Sequence, residues 1–178
     1  MLVNNNKSKT LPFSLSALVI LLDQAVKIYI VSRWPLQGSL IKDVFGNDFL
    51  YIYHVRNRAI AFSLGQNLPD NLRPLLFIIV PILVLGFLIW FYFSSQEFSW
   101  FQRWAFAGII GGGIGNIIDR IFRPDGVVDF ISVKIYGLFG MDRWPTFNIA
   151  DSSVVVCCFL FFIGILIGPE NSGRTAET

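Results

Sequence analysis

Charge is scarce in this chain. Only 15% of its 178 residues are Asp, Glu, Lys or Arg, while 54% are hydrophobic; a soluble globular domain carries about a quarter charged residues. The deficit is concentrated in apolar blocks long enough to cross a bilayer, which excludes an ordinary water-soluble domain. A net charge of +2, carried by scattered basic residues, excludes a nucleic-acid partner. There is one histidine, His54, with no second His or Cys near it, so no metal site is expected. The two cysteines, Cys157 and Cys158, are adjacent inside an apolar run. Vicinal cysteines rarely pair with each other, and a lipid-facing thiol acts as a small hydrophobe. Neither HExxH nor GxSxG occurs, which removes the usual zinc-protease and serine-hydrolase arrangements. Internal repeats and low-complexity tracts are absent too.

What is present reads as a membrane α-helical protein with four transmembrane helices. Residues 74–93 hold no charge at all and form the clearest span. Residues 148–168 are opened by Asn148 and Asp151 and closed by Gly168-Pro169. Residues 12–32 are apolar apart from Asp23, Gln24 and Lys27. Residues 101–122 are the weakest span, but Gly108, Gly111, Gly112 and Gly115 give GxxxG spacings that let helices approach closely. Trp34 and Trp144 flank one set of ends, and Trp90, Trp100 and Trp104 the other, as interfacial belts do. Lys7 and Lys9 before an apolar stretch imitate a signal peptide, yet no small-x-small cleavage site follows. The expectation is an uncleaved first span within a single integral membrane domain, 1–178.

Two excursions separate the spans. Residues 34–72 are not apolar enough to cross, and FLYIYHVRNRAIAFSLG is rich in Tyr, Ile and Val, which favours strands in a small β-rich interfacial domain. Gly38, Gly46-Asn47 and Leu68-Pro69-Asp70 supply its turns. Residues 123–146 form a second loop, in which FISVKIYGLFGMDRWPTFNIA is apolar enough to lie on the membrane as a flap.

If four helices alternate direction, the end of span one, the end of span three and the start of span four share one face with both excursions. Lys27, Asn57, Asn116, Asp119, Arg120, Asp129, Asn148 and Asp151 then gather on that side, with Asp23 deeper. Asp23 and Lys27 are i,i+4 with the acid first, the favourable order for an ion pair. Asn116 shares a helix face with Asp119 and Arg120, and Asn148 with Asp151. A charge deep in a bilayer costs at least about 2.5–3.5 kcal/mol, so these groups must face one another, a cation or water. One reading is purely structural, ion pairs and amides holding four helices together. Asp129 and Asp151 differ, having no basic residue at i±3 or i±4. Two carboxyls held close share a proton, so one can activate water while the other protonates a carbonyl, with neither metal nor cofactor. The alternatives are a small ion- or proton-coupled transporter using the acids as a relay, and a non-catalytic assembly subunit.

Five motifs bear on that choice: DQAVK at 23–27, NRAIAFS at 57–63, GGIGNIIDR at 112–120, GVVDF at 126–130 and FNIAD at 147–151. In this order, across four spans, they resemble those of the lipoprotein signal peptidases (signal peptidase II, aspartic peptidase family A8). The resemblance covers roughly 12–168. It implies that Asp129 and Asp151 are the catalytic dyad, supported by Asp23, Lys27, Asn57, Asn116, Asp119, Arg120 and Asn148. It implies a substrate as well: diacylglyceryl-modified bacterial prolipoproteins, cut just before the lipidated cysteine, by a monomer among membrane lipids. The family usually has glycine at the third position of NRAIAFS; this chain has Ala59, which gives up easy access to positive φ.

Orientation sets two readings against each other. Arg33, Lys42, Arg56, Arg58, Arg73, Arg123, Lys134 and Arg143 lie on the motif-bearing face, against Lys7, Lys9, Arg103 and Arg174 on the other. A plain positive-inside count puts the motifs in the cytoplasm. The resemblance implies a bacterial inner-membrane protein with both termini cytoplasmic and the site near the periplasmic face, and that is the expectation adopted. Reporter fusions at residues 60 and 97 should fall on opposite sides, with 60 outside; residue 60 inside would reverse the topology.

Overall fold

All four apolar segments are helical. The computed structural model describes residues 8–35, 38–58, 69, 72 and 74–167; Ala59 and residues 60–63 of NRAIAFS, Leu68, Asp70, Arg73, Gly168-Pro169, Lys7 and Arg174 lie outside the described residues. Helix α1 runs Phe13–Arg33, α2 Val80–Ser94, α3 Trp100–Phe122 and α4 Ile149–Ile167. With the turn that precedes α2, each is long and apolar enough to span a membrane. That turn, Leu75–Ile79, is a π-helix in which the Val80 N–H reaches back to Leu75 O. Pro81 follows and has no N–H to offer an i→i−4 bond, so the wider turn absorbs the break.

The weakest span by composition is the centre of the bundle. Half of α3 is buried, against 11% of α2, and α3 packs on α1, α2 and α4. Its glycines make this possible on two faces. A Cβ at Gly111 would lie 2.7 Å from Ser16 Cα of α1, and one at Gly112 would lie 2.4 Å from Ala150 O of α4. Cys157 is buried in that α3–α4 seam against Gly108 instead of facing lipid, while Cys158 is half-buried. A thiol is small enough to fill the space a glycine leaves.

The sheet has three antiparallel strands in the order β1 (Ser39–Asp43), β2 (Leu50–Asn57), β3 (Val127–Val133). The first two come from the segment expected to be β-rich. The third comes from the second excursion, expected to be a loop: VVDFISV is a β-branched run, and Val128 and Phe130 bury against Ile30 of α1. Outside the sheet, the segment expected to form a flap is a hairpin tip across the Lys134↔Arg143 bridge with Tyr136, Leu138 and Phe139 exposed. In β2, Tyr53 and His54 stand opposite the single residue Phe130, a bulge between the Ile52↔Ile131 and Val55↔Asp129 pairs. The far end of the bundle is closed by Lys9 and Arg103, which donate to the last carbonyls of α2 at Phe93, Ser95 and Tyr92. Among the described residues, the buried acids all lie at the sheet end.

Gly112→Val should therefore lower stability by about 1–3 kcal/mol through overpacking. Gly86→Ala, on α2 with nothing within 4 Å of the new Cβ, should be neutral or slightly stabilising. Thermal melting in detergent checks the contrast; equal shifts for the two would contradict the seam.

Candidate active site

Lys27 is fully buried and ion-paired to two carboxylates, Asp23 at 2.8 Å on its own helix and Asp119 at 3.0 Å on α3. Each of those carboxylates also holds a backbone amide. Asp23 Oδ1 accepts from Ala150 N at 3.0 Å, and Asp119 Oδ2 accepts from Val128 N at 3.0 Å. Ala150 precedes Asp151, and Val128 precedes Asp129. One ammonium thus sits between two anchors that fix the chain beside each aspartate. Asp119 has further partners in Gln24 and Arg123, so two cations serve two buried acids.

The start of α4 places Asp151. Asn148 is its N-cap: Asn148 Oδ1 accepts from Asp151 N at 2.9 Å, and Asp151 Oδ2 accepts from Asn148 N at 3.1 Å. This is a capping box written in Asn and Asp. A carboxylate at the mouth of an apolar span is therefore in its favoured place, satisfying orphan amides and facing the positive end of the helix dipole.

The start of β3 places Asp129. Gly126 just ahead has φ +100°, and a Cβ there would lie 2.4 Å from Asn57 O, so only glycine lets β3 close on the end of β2. Asn57 pairs with Val127 in the ladder, which makes Asp129 its diagonal neighbour on the same face. Asn57 Nδ2 donates to Asp129 Oδ2 at 3.0 Å.

Two asparagines join the pieces. Lys27 can only donate, so Asn116 must turn its Oδ1 toward Nζ, at 3.2 Å, and its Nδ2 toward Asp151 Oδ1, at 2.7 Å. Asn148 Nδ2 donates both to Asn116 Oδ1 at 3.1 Å and to Asp129 Oδ1 at 2.7 Å. Asp129 and Asp151 line the same cleft, about 420 Å³, together with Asn57, Asn116, Arg120 and Trp144. Asp129 is 2% exposed. Burial, first, and the Asp151 charge across the cleft, second, push its carboxyl up to about 7, against the opposing pull of the Asn57 and Asn148 donors and the Lys27 charge.

All nine residues singled out in the sequence meet at this end of the bundle. Arg120 lines the cleft and stacks over Phe77 at 5.4 Å. Besides Lys27, the cation against Asp119 is Arg123, one turn further along α3. That i,i+4 pair, acid first, was visible in the sequence; the role of Gln24, which accepts from Arg123 and donates to Asp119, was not. No group of three or more His, Cys, Asp or Glu among the described residues could hold a metal.

Fold and site define a multi-pass membrane protein with a carboxyl-lined cleft between one end of its helix bundle and a small sheet. Residues 15–167 match the signal peptidase (SPase) II family, Peptidase A8, and the chain belongs to it; it is a peptidase. The lipoprotein signal peptidase of Treponema pallidum is 45% identical over 160 residues, 90% of this chain and 85% of that one. That of Borrelia turicatae is 44% identical over 171 residues, 96% and 98% of the two chains. A bacterial membrane enzyme solved by the in meso method is 29% identical with a TM-score of 0.72, covering 94% of each chain.

Lys27→Met should destabilise the protein by about 3–5 kcal/mol, because it leaves Asp23 and Asp119 buried without their shared cation. Melting of the full chain in detergent measures the loss. Adding Asp23→Asn to it should recover part of the stability; a milder single variant with no such recovery would contradict the ion-paired cluster.

Proposed function

We propose that this chain is an aspartic endopeptidase in which Asp129 and Asp151 hydrolyse the signal-peptide bond of diacylglyceryl-modified prolipoproteins, just before the lipidated cysteine. The observation that carries the reading is a single cleft bordered by two carboxyls, one of them pushed up to about 7 and so able to hold a proton. Asp151 accepts from Asn116 and from a backbone amide at a helix N-terminus, groups that stabilise negative charge.

In this scheme Asp151 takes a proton from a water in the cleft as the water oxygen attacks the scissile carbonyl carbon. Protonated Asp129 gives its proton to the carbonyl oxygen, so the tetrahedral intermediate is neutral. Asp151 then passes its proton to the leaving nitrogen. The C–N bond breaks, and the proton of one intermediate hydroxyl returns to Asp129 as the carboxylic acid forms. Asn57 and Asn148 hold Asp129, and Asn116 holds Asp151, throughout.

A substrate anchored by acyl chains presents its peptide near the lipid–water boundary, the depth expected for the first turn of a spanning helix. The chain is read as a monomer in the bacterial inner membrane, with cytoplasmic termini and the cleft toward the periplasm. Its two carboxyls come from one chain, which supports the monomer. Transport finds no support, since the buried acids gather at one end instead of threading the bundle.

Purified chain with a lipidated lipobox peptide tests the scheme. Asp129→Asn and Asp151→Asn should each cut the rate by about 10²–10⁴-fold without loss of fold. Activity should fall as pH rises through about 7, where Asp129 loses its proton. Asn57→Ala removes a donor that favours the ionised form, so it should move this limb to higher pH. The same raised carboxyl makes folding more favourable at low pH: the native state holds a proton the unfolded chain releases near 3.8, and stability declines between there and about 7. Full cleavage by Asp129→Asn would end the proposal.

A further inference from the structure

A second cleft, about 340 Å³, adjoins the first through Arg120 and has no part in the hydrolytic scheme. Its size is that of a ligand site. One wall is cationic, with Arg58, Arg120 and Arg123 against Asp125, the single carboxylate among its described lining residues. The other is apolar, Phe77 and Ile78 of the π-turn. That wall continues into the lipid-facing side of α2, where Ile79 and Leu83 are exposed.

Arg123 is held by Asp119 and Gln24, but Arg58 is only loosely paired. The Arg58–Asp125 pair, 2.9 Å long, is 61% and 53% exposed, so water screens it and a stronger acceptor can compete. Arg56, two residues before Arg58, keeps Nε and Nη1 buried with no hydrogen-bond partner among the described residues. Burial, first, and the Arg123 cation, second, lower its guanidinium from the ordinary value, with Asp125 and Asp119 pulling the other way. Buried donors without acceptors are costly, and like charges brought together attract an anion.

We propose that this cleft binds the anionic phosphate of a membrane phospholipid, with Arg58 and Arg123 lining the headgroup site, the charge of Arg56 adding to theirs from outside the lining, and the acyl chains lying along α2. The guanidinium fork matches phosphate oxygens, and basic pockets at helix ends are suited to lipid headgroups. A free phosphate would use the cations but gain nothing from the apolar wall, so the amphipathic shape selects the lipid. The site also gives the surplus of arginines on the sheet-bearing face a role other than setting topology. It does not depend on which residues hydrolyse the peptide bond.

Native mass spectrometry of the full chain in detergent, titrated with phosphatidylglycerol, phosphatidylcholine or inorganic phosphate, tests this. Phosphatidylglycerol should bind about tenfold more tightly than phosphatidylcholine, and Arg58→Gln should cost about tenfold on phosphatidylglycerol alone, the worth of one charge-assisted bond. Arg56→Gln should act in the same direction. Unchanged phosphatidylcholine binding and melting temperature show that each variant is folded. Equal binding of the two lipids, full phosphatidylglycerol binding in both variants, or displacement by equimolar inorganic phosphate would each overturn the proposal.

Discussion

A single buried ammonium governs the arrangement. Lys27 cannot hydrate where it lies, so it must hold anions, and Asp23 and Asp119 are the anions it holds. The same two carboxylates also hold two backbone amides, Asp23 Oδ1 accepting from Ala150 N and Asp119 Oδ2 from Val128 N. A helix start and a strand start, 22 residues apart in the chain (150 minus 128), are thereby fixed to one point between α1 and α3. Asp129 and Asp151, the two carboxyls that line the cleft, are each one residue beyond those anchors. A misplacement of about 1 Å can cost about 10²-fold in rate, so the proposed hydrolysis depends on this rigidity.

The glycines of α3 are the other half of the constraint. Three helices must come close enough for a lysine and an aspartate on α1 to reach α3 and the start of α4. Gly111 and Gly115 admit α1, and Gly108 and Gly112 admit α4. In a bilayer, with no hydrophobic drive between helices, such close backbone contact and buried polar bonds carry the association. The same glycines lower the apolar content of α3, which is why the most buried helix is the least obvious span.

Much of this was legible in the sequence. All four spans, the i,i+4 pair of Asp23 and Lys27, and the shared face of the polar groups followed from length, spacing and parity. Other features were hidden for physical reasons. The strand Val127–Val133 reads as a loop because its partner is β2, some 70 residues earlier, and pairing over such a distance leaves no local trace. Spacing within α3 does not show that Asp119 is shared between Lys27 of α1 and Arg123 of its own helix, because the first partner lies on another element. The Asn148–Asp151 capping box was in view as an i,i+3 pair. Only its bonds reveal how a carboxyl can begin an apolar helix, with its charge satisfied by the cap.

Hydrolysis by this cleft requires that Asp129 keep a proton its ordinary chemistry would surrender. Difference infrared spectroscopy of the full chain against Asp129→Asn reads that proton directly. A protonated carboxyl band that is present below about 7, fades above it and is missing from the variant is the outcome predicted. A residue ionised throughout the acid range, with no such band, would contradict the shared-proton pair.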